Sequence, residues 1–306
     1  MMLFARLSVR GVQAARMVST LYAAADPSKF KSVKYSADSS SGVSTILLNR
    51  PHVYNAIDEH MPLEIEQSVE LANNDPSIKA ILITGAGNAF CSGYDLKKFA
   101  EAERGTVVGS QKMPWDPYED YQFMHRCTEA YMSLWRSLKP TVAHINGICL
   151  AGGSDIALCC DVTFIANHAL IGYPPARIWG CPTTAMWCYR LGIEKAKRML
   201  LTGDRISGEE AVRIGLIGEC APKENLTAIV EKFLQNITAV PTNQLFFQKQ
   251  LINNAIEMQG MSTTQRMATI FDGMTRHTPE GVQFQKDCQE KGFKAVVLER
   301  DVFSKL

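Results

Sequence analysis

The chain has 306 residues, of which 46% are hydrophobic and 21% charged, with a formal net charge of +1. That balance fits a soluble globular protein with a sizeable core. It excludes a generally basic nucleic-acid-binding or membrane-surface protein, so any cationic ligand site has to be local. Nine cysteines are scattered without a CxxC spacing or a Cys/His cluster, which argues for buried thiols in a reducing compartment and against a metal site.

Residues 1–28 stand apart. Arg6, Arg10 and Arg16 alternate with apolar and hydroxyl residues, and no acid precedes Asp26. An arginine-rich, acid-free leader reads as a mitochondrial transit peptide, implying a matrix location, with the mature chain starting between residues 17 and 30. The arginines interrupt the apolar core of about 7–15 residues that a secretory signal needs. No stretch reaches the roughly 18 apolar residues of a spanning helix.

In chain order, residues 44–48 predict a strand and 58–71 a helix, with Asp58 as N-cap and Pro62 in the first turn. Residues 78–84 are a buried strand closed by Gly85-Ala86-Gly87-Asn88. A glycine loop, AFCSGYD (89–95), opens a short helix to about Glu103. Residues 104–118 read as a surface loop, and 119–138 as a helix that stops before Pro140. The strand TVAHIN (141–146) runs into a second glycine segment, GICLAGGSD (147–155), then helical IALCC and the strand VTFIA. Helical patterns follow over 193–202, 207–215, 223–237, 241–257, 262–276 and 279–296. The division is thus an α/β core over 29–205 and a helical region over 206–306.

Both glycine segments follow a buried strand and open a helix, so unpaired N–H groups face whatever docks there. Two such donors aimed at one point form an oxyanion hole, worth about 3–4 kcal/mol per donor when charge develops on a carbonyl oxygen. A dinucleotide fingerprint fails for want of its third glycine, and the P-loop and G-x-S-x-G motifs are absent.

The order LNRPHVYNAID, AFCSGYDLKKF, KPTVAHINGICLAGGSDIALCCDVTFIA and LTGDRISGEEAVRIGLI resembles the enoyl-CoA hydratase/isomerase (crotonase) family from about residue 33 to 220. The resemblance implies a spiral of ββα units with a C-terminal helical trimerisation region, a homotrimer or hexamer, and an acyl-CoA substrate that brings coenzyme A with it, with no separate cofactor and no metal. It implies oxyanion donors at the N–H groups of Tyr94 and Gly152. It also implies a coenzyme A channel along Val53, Ala56, Ala89, Gly93, Asp95, Leu96, Gly152, Pro175 and Gly180. Trp115, Tyr118, Trp179 and Trp187 are candidates for the acyl pocket, and Lys97, Lys98, Lys291, Lys294 and Arg300 for the phosphates.

The family's hydratases use two glutamates. Here the first position is Asp155, and the second falls at Pro175, which cannot transfer a proton. A further family position falls near Thr183, which is not acidic. Arg177 is the nearest ionisable group, suited to clamping charge, and His125 and His144 are possible substitutes. A lone carboxylate can shuttle a proton between two carbons. Concerted hydration without its partner would slow by roughly 10²–10⁴. Isomerase, hydrolase and non-catalytic acyl-CoA-binding readings therefore stand beside hydratase. RNA binding by a lysine-rich helix is disfavoured, because the first helix, DEHMPLEIEQSVELANND, is acidic.

Overall fold

A computed structural model describes residues 25–301. The expected leader lies outside them except for its last residues. There Pro27–Lys29 form a 3₁₀ turn capped by Asp26, whose carboxylate accepts the Ser28 N–H at 3.1 Å.

Ten strands are described: β1 (Val33–Asp38), β2 (Val43–Leu48), β3 (Ala80–Gly85), β4 (Ala89–Cys91), β5 (Thr141–Ile145), β6 (Ile148–Leu150), β7 (Val162–Ala166), β8 (Leu170–Gly172), β9 (Arg205–Ser207) and β10 (Glu219–Ala221). The helices are α1 (Met61–Asn74), α2 (Leu96–Phe99), α3 (Pro117–Arg136), α4 (Gly152–Leu158), α5 (Met186–Leu191), α6 (Ile193–Thr202), α7 (Gly208–Arg213), α8 (Lys223–Ala239), α9 (Thr242–Glu257), α10 (Met261–His277), α11 (Pro279–Lys291) and α12 (Phe293–Asp301).

The long strands form one sheet in the order β1-β2-β3-β5-β7-β10, and the short ones a second sheet, β4-β6-β8-β9. In the first sheet β1 and β2 are antiparallel and every other pair is parallel, whereas β8 and β9 of the second sheet are antiparallel. Parallel pairing needs crossovers and covers both faces, which is why β3, β5 and β7 read as nearly continuous apolar runs. Three times the chain runs long strand, short strand, helical turn: β3-β4-α2, β5-β6-α4, and β7-β8 into the 3₁₀ turn Pro174–Arg177. This is the expected crotonase-like spiral of ββα units. The tight turn between sheets explains Gly147, where a Cβ would lie 2.0 Å from the Asn88 carbonyl oxygen.

α1 turns Met61, Ile65, Val69 and Ala72 inward at helical spacing, all buried in the main core. Asp58 accepts the N–H of His60 (3.2 Å) and of Met61 (3.0 Å), so it caps α1 from just outside it. Buried Glu64 accepts the N–H groups of Lys31, Ser32 and Val33 (2.7, 2.8 and 2.9 Å), tying the entry of β1 to α1.

The boundary expected at residue 205 moves. It cuts β9, and β10 beyond it completes the main sheet against β7. The all-helical part therefore starts at α8. Its helices do not form a separate appendage: α10 packs along α3 and reaches the cavity described below. The pattern over 279–296 is two helices, broken at Gly292, whose φ of 82° ends α11.

Candidate active site

A cavity of about 830 Å³ opens between the two glycine segments and the C-terminal helices. Arg50 organises one wall. Its guanidinium donates to Asp95 at 3.0 Å and to the Ala56 carbonyl, and lies 3.3 Å from Asp58. Tyr54 and Asn55 next to it are left-handed, each with φ 54°. The Asn55 amide holds that turn by donating to the carbonyls of Ala86 (2.9 Å) and Ala89 (2.8 Å). The turn thereby presents His52, Val53, Tyr54 and Ala56 to the cavity.

The two expected donors come together. The carbonyl of Gly93 accepts the Ile57 N–H (2.8 Å), and the Asp95 N–H donates to the Ile57 carbonyl (3.0 Å). Among the described residues, no acceptor pairs with the intervening Tyr94 N–H. The Gly152 N–H, at the start of α4, is likewise unpaired among them. A Cβ placed on Gly93 would lie 3.6 Å from the Gly152 nitrogen, and one on Gly152 would strike Ile57 Cδ1 at 2.8 Å and the Tyr94 ring at 3.2 Å. The absence of side chains is what lets the two segments meet. Ala151, just before, has φ 52° and ψ −129°, a conformation costing about 1–3 kcal/mol.

Asp155 stands in the first turn of α4, buried and on the same cavity wall. Its Oδ1 accepts the Thr184 hydroxyl at 2.7 Å. Burial pushes its carboxyl up to about 8; the Thr184 bond pulls down and the charge of Asp272 pushes up. At pH 7 it is mainly protonated and still able to exchange its proton.

Val53, Ala56, Tyr94, Asp95, Leu96, Gly152, Asp155 and Pro175 all line the cavity. Ala89, Gly93 and Gly180 do not. Ala89 is sealed in β4, Gly93 backs the Tyr94 turn, and Gly180 stands behind Pro175 and Asp272. Of the aromatic candidates, Trp179 lines the wall, while Trp115 sits one layer out, stacked on His277 with ring centroids 4.6 Å apart. Tyr118 is exposed and Trp187 is core, donating to the Ser154 hydroxyl at 3.3 Å. Tyr94, Phe99, Phe123, Tyr173 and Phe284 are among the other aromatic residues of the wall. Lys97, Lys294 and Arg300 reach the cavity, whereas Lys98 pairs with Glu59, and Lys291 lies near Asp287 and Glu299.

Pro175 and Thr183 are both on the wall, so neither family position supplies a second carboxylate. Arg177 is no clamp there: it does not line the cavity, and it pairs with Asp301 at 2.9 Å and bonds the Thr202 carbonyl. His144 on β5 is held by Thr84 of β3, His125 stacks on Tyr121, and neither lines the cavity.

A buried ion cluster on the wall escaped sequence reading. Arg276 of α10 donates to Asp120 Oδ2 of α3 (3.0 Å) and, through Nε, to Asp272 Oδ2 (3.1 Å). Asp272 Oδ1 accepts the Cys181 N–H at 3.0 Å. Burial raises the Asp272 carboxyl, and Arg276 opposes that rise. The only sequence signal is Asp272 and Arg276 four apart on one helical face.

The Enoyl-CoA hydratase/isomerase family matches residues 38–295. A protein named probable enoyl-CoA hydratase, mitochondrial, from Dictyostelium discoideum is 27% identical over 93% of this chain and 96% of its own. The crystal structure of enoyl-CoA hydratase from Mycobacterium smegmatis is 41% identical with a TM-score of 0.84, covering 90% of this chain and 95% of that one. An enoyl-CoA hydratase/isomerase structure from Xanthobacter autotrophicus Py2 is 29% identical with a TM-score of 0.81, covering 90% and 99%. The chain belongs to the enoyl-CoA hydratase/isomerase family. It is an acyl-CoA enzyme of the hydratase/isomerase type.

Proposed function

We propose that the thioester carbonyl of an enoyl-CoA docks on the N–H groups of Tyr94 and Gly152, and that Asp155 moves the proton at the α-carbon. The carrying observation is the meeting of two unpaired N–H donors beside a buried carboxyl raised to about 8. As the ionised carboxylate takes the proton, negative charge passes to the thioester oxygen, where the donors stabilise it more than they stabilise the ground state. The resulting enolate is reprotonated by the same group, at the α-carbon or the γ-carbon.

Double-bond migration is favoured over hydration by a specific observation: Pro175 and Thr183 stand where a second carboxylate would activate water. The acidic groups nearby, Asp120 and Asp272, are committed to Arg276. Coenzyme A arrives as part of the substrate, with Lys97, Lys294 and Arg300 as cations for its phosphates, and no separate cofactor takes part. We place the enzyme in the mitochondrial matrix on the arginine-rich leader, acting on fatty or branched-chain acyl groups. Exposed Phe247, Leu251 and Ile252 on α9 and Phe271 and Met274 on α10 support a homotrimer or hexamer.

Purified enzyme should convert 3-enoyl-CoA thioesters to conjugated 2-enoyl-CoA, followed by ultraviolet absorbance, and Asp155→Asn should lose about 10²–10⁴ of that rate. Loss of absorbance from 2-enoyl-CoA by native enzyme, with no action on 3-enoyl-CoA, would replace migration by hydration.

A further inference from the structure

One stretch of the cavity wall is charged where a plain fatty acyl chain would need none. Asp120, Asp272, Arg276, His277 and Arg104 all reach it. The first three form a built cluster. In α10, Gly273 stands where a Cβ would lie 2.2 Å from Asp120 Oδ2, and a Cβ on Gly180 would lie 3.0 Å from Asp272 Oδ1. Both residues leave room for a carboxylate, and a mid-helix glycine costs about 1 kcal/mol relative to alanine.

The charges on this stretch do not all cancel within named contacts. Arg276 is satisfied by two carboxylates. His277 donates from Nδ1 to the Gly273 carbonyl at 2.7 Å, and burial pulls its ring down towards the neutral form. Arg104, from the loop between α2 and α3, has the Met113 sulfur as its hydrogen-bond partner, and among the described residues no carboxylate lies within ion-pair distance. It is partly buried on the wall, and both burial and the charge of Arg276 oppose its ionised form. A guanidinium held partly out of water beside a second guanidinium gains most from an anion brought by the ligand.

We propose that Arg104 receives a carboxylate carried at the far end of the acyl group, so that the preferred substrates are mono-CoA thioesters of dicarboxylic enoyl acids. This rests on the acyl-CoA reading above. The Phe123 and Tyr173 rings and Met124 line the same cavity and supply wall for a carbon chain. Arg104 interacts electrostatically with Arg276 and His277, whereas Arg300 sits over the Phe284 ring and pairs with Asp301. Arg276, beside Arg104, is paired with Asp272, whose charge reaches Asp155, and this chain of charges assigns Arg104 to the acyl end and not to the phosphates.

The test is titration calorimetry on the full-length protein with three ligands: free coenzyme A and a matched pair of saturated acyl-CoA thioesters, one ending in a methyl group and one in a carboxylate. Native protein should prefer the carboxylate-ended ester by about 10- to 100-fold. Arg104→Gln should abolish that preference and Arg104→Lys should retain part of it. No preference in native protein overturns the proposal. So does an equal weakening of all three ligands by Arg104→Gln, which would make Arg104 a phosphate contact. Binding of none of the three would overturn the acyl-CoA reading itself, and this proposal with it.

Discussion

Thr184 donates its hydroxyl to Asp155 Oδ1 at 2.7 Å, and its own carbonyl accepts the Gln265 amide at 2.9 Å. The Asp155 carboxyl is therefore held from the loop before α5 and, through that loop, from α10. The bond favours the ionised carboxylate, so it moderates the upward push of burial. Proton abstraction needs the ionised form. For native enzyme, kcat/KM should rise about tenfold per pH unit and level off near pH 8. Thr184→Val removes the donor, so the levelling point should move to higher pH and the rate at pH 7 should fall by about tenfold. A profile that stays in place would show that Thr184 does not tune Asp155.

Burying Asp155 opposes folding at neutral pH. Its folded-state value, about 8, exceeds the 3.8 of an ordinary aspartate, so between the two the native state binds the extra proton. Stability then falls as pH rises through that window. Asp155→Asn cannot ionise and escapes the loss. It should match or exceed native stability at pH 8 by a few kcal/mol (about 1.4 per pH unit of the window) and lose that advantage near pH 4. Denaturant melts at both pH values read the difference directly. An advantage that does not change with pH would contradict the buried-proton assignment.

Gly273→Ala gives a sharp contest between two effects. Alanine favours the helix by about 1 kcal/mol. Its Cβ, however, would fall 2.2 Å from Asp120 Oδ2 and break the pair with Arg276. Disrupting a buried ion pair costs about 3–5 kcal/mol, so net destabilisation of about 2–4 kcal/mol is expected in thermal or denaturant melts. A neutral or stabilising outcome would show that α10 is not pinned by Asp120.

How far the sequence discloses this molecule follows from the length scale of each signal. The strands at 43–48, 80–85, 141–145 and 162–166 are legible because each is a run of five or six mostly apolar residues. The three-residue strands at 89–91, 148–150, 170–172, 205–207 and 219–221 are too short for periodicity to register, which is why β9 and β10 shift the expected core boundary. Tyr94, Gly152 and Asp155 are singled out by the family resemblance, which the two local glycine segments carry, and all three line the cavity. Asp120 and Arg276 are 156 positions apart and meet only when α10 packs on α3, so no local pattern announces them. Trp187 fails as a pocket candidate for a related reason: an aromatic residue in an apolar stretch reads the same whether it faces a cavity or the core.

Enolate formation is tested most directly by proton exchange at the α-carbon. A saturated acyl-CoA incubated in deuterated buffer and followed by NMR should lose its α-proton signal with native enzyme. With Asp155→Asn the exchange should slow by about 10²–10⁴ while the thioester still binds. Tight binding with no exchange for any chain length would contradict proton transfer by Asp155 and leave an acyl-CoA-binding protein.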